Sequence, residues 1–376
     1  MSRGFSIPVF AYLRHRLAKS FHNRSPLAAM LFLLFANAIS VAQVFPYGPQ
    51  MVKWLKLTED DRALGYFAGF YLAAYMLGNF LSAIPLGVLA DRWGRKKVVL
   101  LGLWACTLPQ VAFGMSTSFF MALVARFLMG LPNAIVGTAK AMAPDICRPE
   151  DQALAMSLIA ASWGLGNIFG PAMGGLLVDL WPASLPYLLP NLIGAIIALV
   201  AIVTTHRYLP ERFATTGLAA SDSRDGPAPP VPSAAIELEA AAEAPTTAMP
   251  KSSPRSCFAS LMPTKRARGP VILYTIMAFS EIIGNEVIPL FCYAPISSGG
   301  LELHVTQVGG LLTAMGCAIL IFQMLLLPMI MRRISAVSLL RYSNLAQAPI
   351  YFLIPNVSLL PRPLHIPVLI ILLSLL

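Results

Sequence analysis

The chain has 376 residues, 57% of them hydrophobic and 12% charged, with a net charge of +10 and a mean hydropathy of +0.70. So much apolar surface excludes a single water-soluble core; lipid must solvate much of it. The basic excess lies in short segments between long apolar runs and no RNA or DNA module accompanies it, so it is read as membrane orientation rather than nucleic-acid binding.

Residues 1–26 are expected to form a basic cytoplasmic N-terminus, with Arg14, Arg16, Lys19 and Arg24 ahead of the first apolar run. Ser40-Val41-Ala42 resembles a cleavage site, but the run from Leu27 continues toward Met51, longer than a signal-peptide core, and is read as a first span. A crossing needs about 20 apolar residues. Segments of that kind run over 27–50, 65–89, 98–116, 119–143, 153–178 and 184–206, giving a six-helix N-terminal half over 27–209. Over 210–269 the composition turns to Ala, Pro, Ser and Thr with few aromatics, too little apolar area to offset chain entropy, so a disordered cytoplasmic linker is expected. Three further runs cover 270–294, 307–331 and 337–357, and a tenth begins near Ile366. The expectation is an all-α membrane protein of nine to ten spans, with 270–376 as an incomplete C-terminal half. Basic connections alternate with weakly charged ones, which predicts a cytoplasmic N-terminus.

The two sides of the linker overlay weakly: Val44-Phe45-Pro46-Tyr47 matches Val287-Ile288-Pro289-Leu290, and the basic loop at Asp91 has a counterpart at Arg332-Arg333. A two-half repeat of this kind is the build of many transporters. Cys106, Cys147, Cys257, Cys292 and Cys317 are scattered and odd in number, which argues against a disulfide framework or a zinc site; they are read as packing residues. HExxH, Walker A, GxSxG and paired Cys/His patterns are all missing from the sequence, so neither an enzyme nor a metal centre is expected.

Ionisable groups in hydrocarbon are costly, which makes Arg126, Lys140, Glu281 and Glu286 functional candidates. On a continuous helix, Arg126, Gly130, Asn133, Gly137 and Lys140 share a face within about 80°, with Lys140 also able to snorkel to the surface. The first span places Asn37, Ser40, Gln43 and Tyr47 within about 120°, and the second places Tyr71, Tyr75, Asn79 and Ser82 within about 80°. Such stripes either line a central cavity or serve as hydrogen-bonded glue between helices; the bulk of the tyrosines favours the cavity. Glu281 and Glu286 are about 140° apart on the wheel, so one of them is expected to face the cavity and carry a proton.

Gly87-Val88-Leu89-Ala90-Asp91-Arg92-Trp93-Gly94-Arg95-Lys96-Lys97 resembles the major facilitator signature G-x-L-A-D-R-x-G-R-K. Gly87 is expected to let the second span approach a neighbour. The resemblance implies a cytoplasmic latch between two pseudo-symmetric six-helix halves, built from Gly87, Asp91, Arg92, Gly94 and Arg95, with Asp91 and Arg95 in charge-relay contacts. Gly166-Asn167-Ile168-Phe169-Gly170-Pro171-Ala172-Met173-Gly174-Gly175 is similar to the antiporter motif G-x-x-x-G-P-x-x-G-G. Its glycines at 166, 170 and 174 form a smooth groove for close helix packing, and Pro171 bends the helix. Asp145-Ile146-Cys147-Arg148-Pro149-Glu150 resembles the zinc-induced-facilitator-like and fungal branch of the twelve-span drug:proton antiporters. Arg126 with Gly130 resembles that family's R-x-x-x-G element, which ties the Arg to proton coupling, and Glu286 resembles its acidic position ahead of P-L-F.

The resemblance implies a proton-coupled exporter of a small organic molecule working by alternating access, with a proton gradient in place of any cofactor. Uptake by proton symport or uniport is the alternative within transport, and a truncated, non-transporting membrane protein acting as sensor or partner is the alternative outside it. Small-molecule substrate, protons and lipid are the expected partners, nucleic acid is not, and a monomer in the plasma or vacuolar membrane is expected.

Overall fold

The computed structural model describes residues 24–58, 63–147, 152–180, 182, 184–211, 265–322, 326, 330, 333–334 and 336–374. The N-terminal segment up to residue 23 and nearly all of the linker lie outside the described residues, as do Cys257, Arg148 and Arg332. Two compact units are present, residues 1–212 together with 284–376, and residues 213–283.

The described chain is helical, without a strand among the described residues. α1 spans Arg24–Ala42, α2 Gly48–Trp54, α3 Leu64–Trp93, α4 Arg95–Gly114, α5 Phe119–Gly130, α6 Ile135–Ile146, α7 Gln152–Leu177 and α8 Leu188–Tyr208. After the linker come α9 (Lys265–Tyr293), α10 (Val305–Ile321), α11 (Ala336–Leu353) and α12 (Arg362–Ser374). Among the described residues, six stretches are long and apolar enough to cross a membrane: 25–42, 64–93, 95–114, 119–146, 188–208 and 275–293. Shorter apolar helices lie at 305–321, 345–359 and 364–373. α7 has 26 residues, length enough for a crossing.

Burial is distributed as lipid solvation requires. Phe80 is 79% exposed and Phe120 75%, whereas Arg126 is 1% exposed and Asn37, Gln43 and Asn191 are buried. Large apolar side chains cover the outer faces as well as filling the interior, and a set of polar side chains is buried among them, which a water-soluble globule would not favour. In the first unit, α1 packs on α7 and α8, α4 on α5 and α8, α3 on α5, and α7 on α10.

Two expected spans are not continuous helices, and proline accounts for both. The first stops at Ala42, turns through 43–47 and resumes as α2 at Gly48. Pro46 has no N–H to continue the ladder, whereas Pro49 is tolerated because it stands in the first turn of α2. The fourth breaks at Leu131-Pro132-Asn133-Ala134, where Asn133 N donates to Gly130 O at 3.0 Å and α6 then restarts at Ile135. The break ends the single polar face expected for this span: Arg126 and Asn133 are buried, while Gly137 and Lys140 are exposed.

Candidate functional site

Five helices of the first unit converge on a buried polar column. At one level Asn133, freed by the break between α5 and α6, donates through Nδ2 to Asn37 Oδ1 at 3.0 Å and to the Tyr75 hydroxyl at 2.7 Å. Its Oδ1 accepts from Ile135 N, at the start of α6, at 3.4 Å. Cys106 Sγ donates to the same Asn37 Oδ1 at 3.5 Å. A second level is organised by Asn191 of α8, whose Nδ2 donates to Tyr187 O at 2.8 Å and to the Tyr47 hydroxyl at 3.0 Å. Asn191 Oδ1 accepts from Gln43 Nε2 at 2.9 Å. The rings of Tyr47 and Tyr187 stack with centroids 5.3 Å apart.

Arg126 belongs to this column. Its guanidinium carbon lies 4.4 Å from the centroid of Phe113 on α4. Nε and Nη2 have no hydrogen-bond partner among the described residues. Its electrostatic neighbours are Tyr47, Tyr75, Cys106 and Glu286. Glu286 is the carboxylate in that set, and no ion pair within 4.0 Å joins the two among the described residues. Packing against an aromatic face and neutral hydroxyls holds the cation in place without neutralising it.

Two cavities flank the column. The larger, about 370 Å³, is lined by Asn37, Tyr75, Asn79, Asn133, Thr138 and Trp163 among others, with no charged residue in its wall. The smaller, about 150 Å³, lies between residues 44–49, α3 and α9 and has Glu286 as its one carboxylate. Tyr71 also lines it; the residue is buried and its hydroxyl is unpartnered among the described residues. Asn37, Tyr75, Asn79 and Asn133 thus meet at one cavity and Tyr71 at the other. Gln43 and Tyr47, expected to line a cavity, line neither of these and act as interhelical ties. Ser40 bonds back to Ala36 O at 3.0 Å within its own helix, and Ser82 to Asn79 O at 3.1 Å. The side chain of Glu281 lies outside the described residues.

The glycines of α7 meet α1. A Cβ at Gly166 would strike Ala38, one at Gly170 would come to 3.0 Å from Ala42 Cβ, and one at Gly174 would overlap the Gln43 carbonyl oxygen. Gly175 faces the opposite way, where its added Cβ would stand 2.8 Å from Gly309 Cα of α10. Pro171 lies within α7 and its carbonyl also approaches Gly309.

The basic loop between α3 and α4 differs from expectation in one respect. Gly87 makes no close approach: nothing among the described residues lies within 4 Å of a Cβ placed there, and it borders the larger cavity. Arg95 pairs with Asp145 at the end of α6 (2.5 Å) and donates to Ala141 O. Asp91 and Arg92 are exposed. Gly94 turns the chain at φ 102°, a backbone region that side chains with a Cβ avoid. Lys96 Nζ donates to His206 O at 2.7 Å, and Lys97 approaches Glu211 at 3.5 Å. The loop therefore fastens the ends of α6 and α8 to α4. Sequence reasoning missed Asn191, the one Asn of α8, as well as Trp163 and the hydrogen bond of Cys106. Cys106, Cys147 and Cys292 are buried, as packing residues should be, whereas Cys317 is exposed.

Comparison with known proteins gives a consistent lineage. A family profile described as the Major Facilitator Superfamily matches residues 27–376. Protein ZINC INDUCED FACILITATOR 1 of Arabidopsis thaliana is 28% identical over 88% of this chain and 69% of its own length. The major facilitator superfamily multidrug transporter mfsB of Aspergillus fumigatus is 26% identical over 94% of this chain and 70% of its own. The chain thus spans about two thirds of the length of these relatives. Among solved structures, a D-xylose-proton symporter superposes with a TM-score of 0.62 at 12% identity, covering 94% of this chain and 78% of that one, a likeness of fold.

Proposed function

The chain belongs to the Major Facilitator Superfamily and is a multi-pass membrane transporter, and from that premise we propose that it exports a small organic molecule in exchange for protons. The observation that carries the proposal is Arg126, buried at 1% exposure, without a carboxylate ion pair, and within electrostatic reach of Glu286 on a different helix. Two unit charges several ångströms apart at an effective dielectric near 20 interact by roughly 2 kcal/mol. Cancelling that interaction by protonating Glu286 would shift a two-state equilibrium about thirtyfold, enough to bias inward-open against outward-open.

Arg126 lies against Phe113 of α4 and is an electrostatic neighbour of Tyr47 in the 43–47 turn, which Asn191 of α8 holds in turn. A change of charge on Glu286 is therefore felt as a change in the attraction between α9 and a rigid N-terminal half. Cargo enters the cavities beside the column, the proton gradient supplies the work, and no cofactor is needed. The basic ends of α3, α4 and α8 are assigned to the cytoplasmic side. Export is favoured over uptake by the glycine ladder of α7, and by the relative whose printed name is a multidrug transporter.

The test is flux in proteoliposomes. An acidic lumen should drive cargo in as protons leave, and external acidification on adding cargo should identify antiport; alkalinisation would identify symport. Glu286→Gln should abolish the dependence on the gradient. Gradient-driven flux that persists unaltered in Glu286→Gln combined with Glu281→Gln would falsify the carboxylate assignment.

A further inference from the structure

The hydrogen bonds beside the larger cavity fix which way its amides point. Asn133 Oδ1 is taken by Ile135 N, so Nδ2 is the group turned to Asn37 Oδ1 and the Tyr75 hydroxyl oxygen. Asn37 Oδ1 receives that donor and the Cys106 thiol, which occupies both of its lone pairs. The acceptors at this level are therefore satisfied from within the protein. What remains is donors: the Nδ2 hydrogens of Asn37 and the O–H of Tyr75 enter no hydrogen bond among the described residues, and both residues line the cavity. Thr138 adds a hydroxyl and Trp163 an indole N–H to the same wall.

No charged residue stands in this wall. An ion brought into it would shed water without meeting a counter-charge, whereas a neutral carbonyl oxygen would find donors already in place. The volume of about 370 Å³ is about two and a half times the ~150 Å³ of an engineered cavity that holds one benzene ring. Gly87 of α3 and Gly137 of α6 border that space, and a Cβ built on either meets nothing within 4 Å among the described residues. Tyr75 and Trp163 supply flat rings beside it. We propose that the larger cavity binds an uncharged fused-ring molecule through a carbonyl oxygen received by Asn37 Nδ2 and the Tyr75 hydroxyl, in space left open by Gly87 and Gly137. The inference rests on the export proposed above and specifies the class of its cargo.

Recognition is thereby separated from proton handling, because Glu286 borders the other cavity. An uncharged cargo exchanged for one proton moves one positive charge per cycle. Such transport answers to the membrane potential as well as to the pH gradient.

The probes share one tricyclic shape: xanthone, with a ring carbonyl; xanthene, with a methylene in its place; and xanthene-9-carboxylate, an anion. On the purified full chain, xanthone should bind more tightly than either of the others. Tyr75→Phe should weaken xanthone about threefold to tenfold, the loss of one neutral hydrogen bond, and leave xanthene unchanged, a split that a merely structural lesion would not produce. If Tyr75→Phe fails to elute as folded protein, Gly137→Leu carries the test: its side chain enters open space, so the protein should elute like the parent yet no longer bind xanthone. In proteoliposomes holding a pH gradient, xanthone should hasten its collapse, since the uncharged cargo returns through the lipid after each exchange, and valinomycin with potassium should speed that collapse further. Equal binding of xanthone and xanthene, tighter binding of the carboxylate, an unchanged preference in Tyr75→Phe, or full xanthone binding in Gly137→Leu would each overturn the site. Gradient-driven flux of the carboxylate without xanthone binding would overturn it too, yet leave proton exchange standing. Selective xanthone binding with no effect on the gradient would uphold the site and remove proton exchange.

Discussion

The close approach of α1 and α7 can be tested by a graded glycine series. Alanine at Gly174 would place its Cβ inside the van der Waals surface of the Gln43 carbonyl oxygen, and the obstructing atom is backbone, unable to rotate away. A carbon–oxygen contact needs about 3.3 Å, so the helices must part by roughly 1 Å. A gap of that size forfeits between a quarter and a half of each dispersion contact along the seam, and overpacking of this kind costs about 1–3 kcal/mol. At Gly170 the new Cβ would meet Ala42 Cβ at 3.0 Å and Gln43 N at 3.1 Å, a tighter fit than ordinary contact but within reach of a small adjustment. Gly87 faces open space, so alanine there should stabilise α3 by up to about 1 kcal/mol through helix propensity. Thermal unfolding of the purified protein in detergent should rank Gly174→Ala below Gly170→Ala, and both below Gly87→Ala. The most severe variant should unfold about 5 °C lower than the parent. A Gly174→Ala protein as stable as the parent, or a Gly87→Ala protein as damaged as Gly174→Ala, would refute the packing argument.

Two further substitutions probe the polar column and the loop. Asn133→Leu removes the donor to Asn37 and Tyr75 and the acceptor for Ile135 N, orphaning buried groups at a cost of about 1–3 kcal/mol each. It should lower thermal stability by more than Asn79→Leu at the half-buried neighbouring position, and equal losses would show that the hydrogen bonds are dispensable. Arg95 and Asp145 should be coupled by no more than about 1 kcal/mol in a double-mutant cycle, because the pair is 16% and 39% exposed. A coupling several times larger would mean that the loop is shielded from water far more than these exposures imply.

The six long apolar stretches found among the described residues were each legible in the sequence, since apolar runs are local features. What it misjudged came from assuming unbroken helices. Pro46 and Pro132 each interrupt a span, and the break at Pro132 lets Asn133 reach Asn37 and Tyr75 while Lys140 turns outward. The wheel through Arg126 could not foresee this, because its angles accumulate only along a continuous helix. Asn191 was invisible for a different reason: its partners Tyr47 and Gln43 stand 144 and 148 positions away in sequence, and no periodicity encodes such a meeting. The latch motif announced charged residues but not their pairing, and Asp145 had drawn notice only as part of a loop resemblance.

The same column explains why Arg126 keeps its charge available. Had one of its neighbours within the N-terminal half been a carboxylate, the guanidinium would be neutralised locally, and protonation of Glu286 on α9 would change little. The surrounding groups are instead Tyr47, Tyr75, Cys106 and the Phe113 ring, which orient the guanidinium without cancelling it. In the proposed exchange these neutral contacts leave α9 as the element that responds to protonation. The fixed charge then stands on a half braced by Asn133 and Asn191, and the proposed exchangeable one on a helix that borders a cavity. The proposed coupling depends as much on the contacts that orient Arg126 as on the acidity of Glu286.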